Sequence, residues 1–246
     1  MASGRWTPVV VSRVAAAFAL AVLVGINLYF AFHIAPPLGP PEPSAQQILI
    51  WTTAHQQQLL FQFEPAYVAL LYAVLVALLV HLTRGRGVLA NLAYIGAGAN
   101  LAITLVGFGL FFGLWTYIQE GASNDGIVAI ATIAPTFTHS QLMVVGLAIG
   151  CVGLLGLRSR VWPAWLSWLG VITGAEHVLT YIAFASFPAF STTAAAAFTV
   201  GGLARVSDIV LEFLWLTVTL VVLLVRPVRQ VPGEVGAVRR AAPKES

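Results

Sequence analysis

Six runs of apolar residues dominate the chain, at about 13–34, 61–82, 88–114, 127–157, 162–186 and 203–226. Each is long enough to cross a bilayer as a helix. Between them lie short stretches rich in Gly, Pro, Ser, Asn and Arg, which punctuate helices. The expected architecture is therefore all-α, a polytopic membrane bundle of six transmembrane helices within residues 1–228. The first run follows Arg5 and Arg13, as a cleaved leader would. It is about 22 residues long and lacks a clear small-x-small cleavage site, so it reads as a retained helix. The fourth run exceeds what a bilayer needs; either Pro135 kinks it or its first turns stand outside the hydrocarbon.

The segments between the runs carry their own signals. Pro36-Pro37-Leu38-Gly39-Pro40-Pro41-Glu42-Pro43 is an extended, helix-breaking spacer. Ser44 then suits the N-cap of an amphipathic segment, 44–58, in which Gln47, His55, Gln56, Gln57 and Gln58 alternate with Ile48 and Trp51. That segment either lies along the outer interface or extends the second helix outward. Residues 229–246 read as a disordered, basic cytoplasmic tail. Small residues recur at helical spacing in Gly109-x-x-x-Gly113, Gly146-x-x-x-Gly150 and Gly170-x-x-x-Gly174, a pattern that lets helix backbones approach closely.

Composition strengthens the membrane reading. The 246 residues are 59% hydrophobic and only 9% charged, with a mean hydropathy of +0.90; soluble domains carry about 25% charged residues. The excess of Arg over Lys, with abundant Ala, Val and Gly, points to a GC-rich bacterial genome and hence a bacterial plasma membrane. Arg5, Arg13, Arg84, Arg86, Arg158, Arg160 and the tail arginines fall on alternate connections. The loops at about 35–60, 115–126 and 187–202 contain no Lys or Arg. This bias puts both termini in the cytoplasm, and only Arg205, at the outer end of the last helix, departs from it. The formal charge of +3 is then an orientation signal, and no nucleic-acid partner is expected. The single cysteine, Cys151, excludes an intrachain disulfide and reads as a small packing residue.

Four acids, Glu64, Glu176, Asp208 and Glu212, lie inside the apolar runs, where each ionisable group costs at least a few kcal/mol. Arg205, Asp208, Glu212 and Trp215 share one helix face. Placed by depth, Glu64, Asp208 and Glu212 lie in the outer turns of their helices. Asn27 and His33 lie in an outer half, with Asn100, Thr104, His139, Gln141, Glu176 and His177 near the middle. The expectation is one polar cavity opening to the outer half of the membrane. Bland readings stand beside it. Arg205 and Asp208 suit a structural ion pair, and Glu64 before Pro65 suits a first-turn carboxylate. His139 and His177 each suit a neighbouring backbone carbonyl. Glu176 and Glu212, with no nearby Lys or Arg, are hardest to explain that way.

A carboxylic acid in a low-dielectric site can stay protonated and serve as a general acid or as a proton-coupling site. The sequence has no Asp-rich diphosphate motif, P-loop, dinucleotide-binding glycines or haem-attachment motif, and no metal or cofactor is expected. Aromatic residues near the acids, including Phe61, Phe63, Tyr67, Trp115, Tyr181, Phe213 and Trp215, suit either cation stabilisation or ordinary packing. Three classes follow: an intramembrane acid catalyst, a small proton-coupled transporter, and a non-catalytic accessory subunit. In the first, Glu212, Asp208, Glu64 and Glu176 are the catalytic set, and His139, His177, Asn100, Tyr67, Tyr181 and Trp215 line the substrate site. The expected partners are the lipid bilayer and a lipophilic small molecule; no oligomeric state is implied.

Trp162-Pro163-Ala164-Trp165-Leu166-Ser167-Trp168-Leu169-Gly170, with the Gln-rich stretch before the second helix, resembles a family of uncharacterised bacterial six-helix integral membrane proteins over roughly residues 10–228. In size, and in having an acid early in a helix and another late in the chain, the protein is also similar to small membrane-bound terpene cyclases of meroterpenoid pathways. That resemblance implies metal-free, proton-initiated cyclisation or isomerisation of an isoprenoid-like substrate, with Glu64 and Asp208 (or Glu212) at the matching positions. The chain departs from that family in the context Phe63-Glu64-Pro65 and in having six apolar runs where seven helices are expected.

Overall fold

The computed structural model describes residues 8–33, 45–54, 66–121, 123–186 and 200–225. These form seven α-helices, and there is no strand among the described residues: α1 (Pro8–His33), α2 (Ala45–Ala54), α3 (Ala66–Leu82), α4 (Val88–Gln119), α5 (Asn124–Ser159), α6 (Ala164–Ser186) and α7 (Val200–Val225). Two stretches, Val88–Gln119 and Ser140–Ser159, are long and apolar enough to cross a membrane, with shorter apolar helices at Arg13–Gly25, Val68–Leu82 and Val210–Leu223.

The facing ends of α4 and α5 move outward from their apolar runs, because caps, not hydropathy, end a helix. α4 continues to Gln119 and stops where Gly121 takes a φ of 71°. α5 starts at Asn124 because the Ser123 hydroxyl accepts from the Gly126 N–H. It then runs unbroken for 36 residues, through Pro135. α2 covers ten residues of the amphipathic segment, directly after Ser44, and packs on α5. The Pro-rich spacer, Arg5, Glu64 and the tail lie outside the described residues.

Helices α1, α3 and α4 each present one stripe to the core. On α1 this is Ala16, Ala19, Leu20 and Leu23; on α3 it is Val68, Tyr72, Leu75, Val76, Leu79 and Val80, the three- and four-residue spacing of a single helix face. The stripe of α4 is small or polar, with Ala90, Ala93, Ala97, Asn100 and Thr104 all buried. The helices pack in a closed ring, α1–α3–α4–α5–α6–α7, with α1 and α7 completing it and α3 also touching α5. Closure is helped by Arg13 of α1, whose guanidinium donates to the Leu223 carbonyl, one of the four carbonyls that the end of α7 leaves without an intrahelical donor.

The tightest packing is between α5 and α6. A Cβ built on Gly174 would lie 2.5 Å from both Gly146 O and Gly150 N, so two of the small-residue motifs meet face to face. Gly109 and Gly113 have open space around them instead, and α4 approaches α5 through Gly96, which faces Val144 and Ala148. Spacing alone therefore selects more glycine pairs than the fold uses. Outward, the bundle exposes large apolar residues, among them Phe18, Leu70, Ile95, Leu105, Phe112, Trp165, Trp168, Ile172, Leu179 and Leu214.

Candidate functional site

α6 and α7 are antiparallel neighbours. Gly170 faces the Trp215 indole, Thr173 Oγ1 donates to Leu211 O at 3.5 Å, and further along α6 the partners come from earlier in α7. This register brings Glu176 and His177 of α6 against Ser207 and Glu212 of α7. His177 Nε2 lies 3.4 Å from Glu212 Oε2, and His177 Nδ1 lies 3.3 Å from Glu176 Oε2. Glu176 Oε1 accepts from Ser207 Oγ at 2.5 Å and from Thr180 Oγ1 at 3.2 Å. The imidazole is 1% exposed, whereas the Glu176 and Glu212 side chains are 20% and 29% exposed. A buried ring thus lies between two acidic side chains that are each partly exposed.

An ionised carboxylate only accepts hydrogen bonds, so the Nε2–H tautomer or the imidazolium is the form of His177 that meets an ionised Glu212. Nδ1 lies close to Glu176 Oε2 without a hydrogen bond between the two atoms, so it is on the Glu212 side that the ring has a hydrogen bond along which a proton can pass. Glycine makes room for the ring, because a Cβ on Gly146 would lie 2.7 Å from His177 Cβ. Any larger residue there pushes α6 away.

A second polar set lies across α5. Gln141 Nε2 donates to Thr104 Oγ1 at 2.5 Å, and the Tyr72 hydroxyl donates to Val145 O at 3.3 Å. Asn100 is buried one turn from Thr104. Gln141, Val145 and Gly146 occupy neighbouring turns of α5, so these groups and His177 share one level of the bundle. Asn100 and the carboxylates are nonetheless on opposite sides of α5.

Of the residues singled out from the sequence, Glu176, His177 and Glu212 are brought together. His177 meets two carboxylates rather than a backbone carbonyl. It is thus a partner that Glu212 lacks in its local sequence and that Glu176 has next to it. Trp215 is on the same face of α7 but is buried against Gly170, in the core cluster. Tyr181 is half-buried, one turn beyond His177. Trp115 lies tilted against Phe112, which stacks on Phe108, along α4. Glu64 lies outside the described residues, as do the side chains of Tyr67, His139, Arg205 and Asp208, whose backbones are helical. Ser207 and Thr180 were not anticipated. Thr180 follows Glu176 by one turn, a legible signal; Ser207 depends on the pairing of α6 with α7. Among the described residues, no three His, Cys, Asp or Glu side chains form a metal-binding group. No protein-family model matches the chain, and neither a curated protein nor a solved structure matches it significantly.

Proposed function

We propose that the chain is a six-span bacterial plasma-membrane protein with both termini cytoplasmic, in which α1 and α3 to α7 are the spans. The outward display of large apolar side chains supports this, since so much exposed apolar surface suits lipid rather than water. Two features support the orientation. Arg84, Arg86 and Arg158 share one cleft at one end of the bundle, and Arg13 reaches the last turn of α7.

Within that frame, the proposed activity is metal-free, proton-initiated isomerisation or cyclisation of an isoprenoid-like lipophilic substrate, following the likeness to small membrane-bound terpene cyclases. The observation that carries it is the contact of the buried His177 with Glu212, whose side chain is partly exposed. Glu212 in its acid form gives its proton to an alkene carbon, whose π electrons form the new C–H bond and leave a carbocation on the neighbouring carbon. A later C–H bond returns a proton to a carboxylate, so the reaction is proton-neutral. Glu176, held by Ser207 and Thr180 beside His177, is the second carboxylate that can accept the returning proton.

The test is turnover of prenylated alkenes or epoxides by the membrane protein in deuterated water. One solvent-derived deuterium in the product, and loss of turnover in Glu212→Gln, are expected. Full activity of a well-folded Glu212→Gln rejects the catalytic role. The same array favours proton-coupled transport as a second reading, because it sets two carboxylates beside one buried ring. Substrate-driven acidification of proteoliposomes without chemical change distinguishes it. An accessory subunit is the reading left if neither assay responds to Glu212→Gln.

A further inference from the structure

Far from the carboxylates, the α3–α4 turn and the end of α5 form a cleft of about 370 Å³ whose lining includes Arg84, Arg86 and Arg158 and no Asp or Glu. We propose that this cleft binds a phosphate group, in the first instance the headgroup of an anionic phospholipid.

The cleft is held open by backbone geometry. α3 ends in a pair of bonds, Gly85 N–H to Val80 O and Arg84 N–H to His81 O, that force the residue at position 84 into the left-handed region. Glycine is the usual occupant, yet Arg84 stands there with a φ of 51°. α5 ends similarly, with Arg160 at a φ of 54° and its N–H bonded to Gly156 O. The two turns are pressed together because Gly85 packs on Leu155, where a Cβ would approach to 2.8 Å.

Positive-inside arginines orient a helix without sharing a cleft, and Arg160, on the same turn as Arg158, is not part of this one. Arg86 and Arg158 line this cleft from two separate turns, and their like charges favour an anion between them. The hydroxyls nearby are already engaged, Thr83 Oγ1 with Val80 O and Ser159 Oγ with Gly156 O, which leaves the Arg86 and Arg158 guanidinium groups to donate. A phosphate offers several oxygens in a tetrahedral array and can be gripped from two sides, whereas a carboxylate offers one planar edge. A headgroup fits the volume, since small-molecule sites run from about 300 Å³ upward. A basic pocket between membrane helices at the cytoplasmic face is a setting for anionic headgroups.

The experiment uses the full chain, delipidated in detergent, with native mass spectrometry during titration by phosphatidylglycerol or phosphatidylcholine. Wild type and Arg160→Gln are expected to retain phosphatidylglycerol but not phosphatidylcholine. Arg86→Gln/Arg158→Gln is expected to bind it about a hundredfold more weakly, roughly tenfold per arginine. Both substituted side chains are exposed, so the core is untouched. Inorganic phosphate is added as competitor to wild type, a measurement that needs no variant. Displacement of the lipid by phosphate supports the shared chemistry, and phosphate binding without lipid retention makes free phosphate the ligand of the same site. The proposal is overturned if wild type prefers neither phosphatidylglycerol nor phosphate. It is equally overturned if Arg160→Gln loses as much binding as the double variant.

Discussion

His177 Nε2 stands 3.4 Å from Glu212 Oε2 across the α6–α7 interface, joining residues 35 positions apart. The two residues sit on different helices, so this pair reports directly on how α6 and α7 dock. Removing the ring leaves Glu176 and Glu212 on either side of a void. His177→Ala is expected to lower stability by about 1–3 kcal/mol. Combining it with Glu212→Gln should lose less than the sum, with a coupling of about 0.5–3 kcal/mol. Thermal unfolding of the four proteins in one detergent measures it; strict additivity rejects the contact.

The glycine motifs separate by contact. Gly174→Ala puts a methyl group onto the backbone of Gly146 and Gly150 and is expected to destabilise by about 1–3 kcal/mol. Gly109→Ala meets nothing and removes a flexible residue from a helix, so it should be neutral or stabilise by up to about 1 kcal/mol. Unfolding midpoints of the two variants in parallel decide the matter; equal effects contradict the packing described.

Trp215 and Gly170 make a paired test of packing against substrate contact. A Cβ on Gly170 would lie 2.7 Å from Trp215 Nε1, so Gly170→Ala strains the indole. Adding Trp215→Phe should recover part of that loss, about 0.5 kcal/mol or more, although Trp215→Phe alone destabilises. No recovery in the double variant means that the indole does not sit over Gly170.

The Gln141–Thr104 bond ties α5 to α4. Thr104→Val keeps the shape but removes the acceptor, leaving a part-buried amide unmet, and should cost about 1–2 kcal/mol; Thr104→Ser should cost less. Chemical unfolding curves at constant slope provide the comparison.

Topology is open to direct measurement. Alkaline phosphatase fused after the tail, or within 84–86, should be inactive, and fused within 115–126 it should be active. Activity of the C-terminal fusion contradicts the proposed orientation.

The sequence by itself determined where the helices are and that the chain is all-α, because helix formation rests on bonds four residues apart and on a local apolar stripe. It also marked Glu176 and Glu212 as costly residues, since the penalty for a charge in an apolar run is local. Caps moved the ends, as with Ser123 and Gly121, for the same local reason. Only the tertiary structure decided partners. Which face of α6 meets α7, and in what register, follows from how close Gly174 lets α5 and α6 approach and from the closing contact of α1 with α7. That register put His177 between two carboxylates, added Ser207 and set Trp215 against Gly170. It also used two of three glycine motifs and left Gly109 and Gly113 facing outward. These are relations between surfaces distant in the chain, and no periodicity within one helix encodes them.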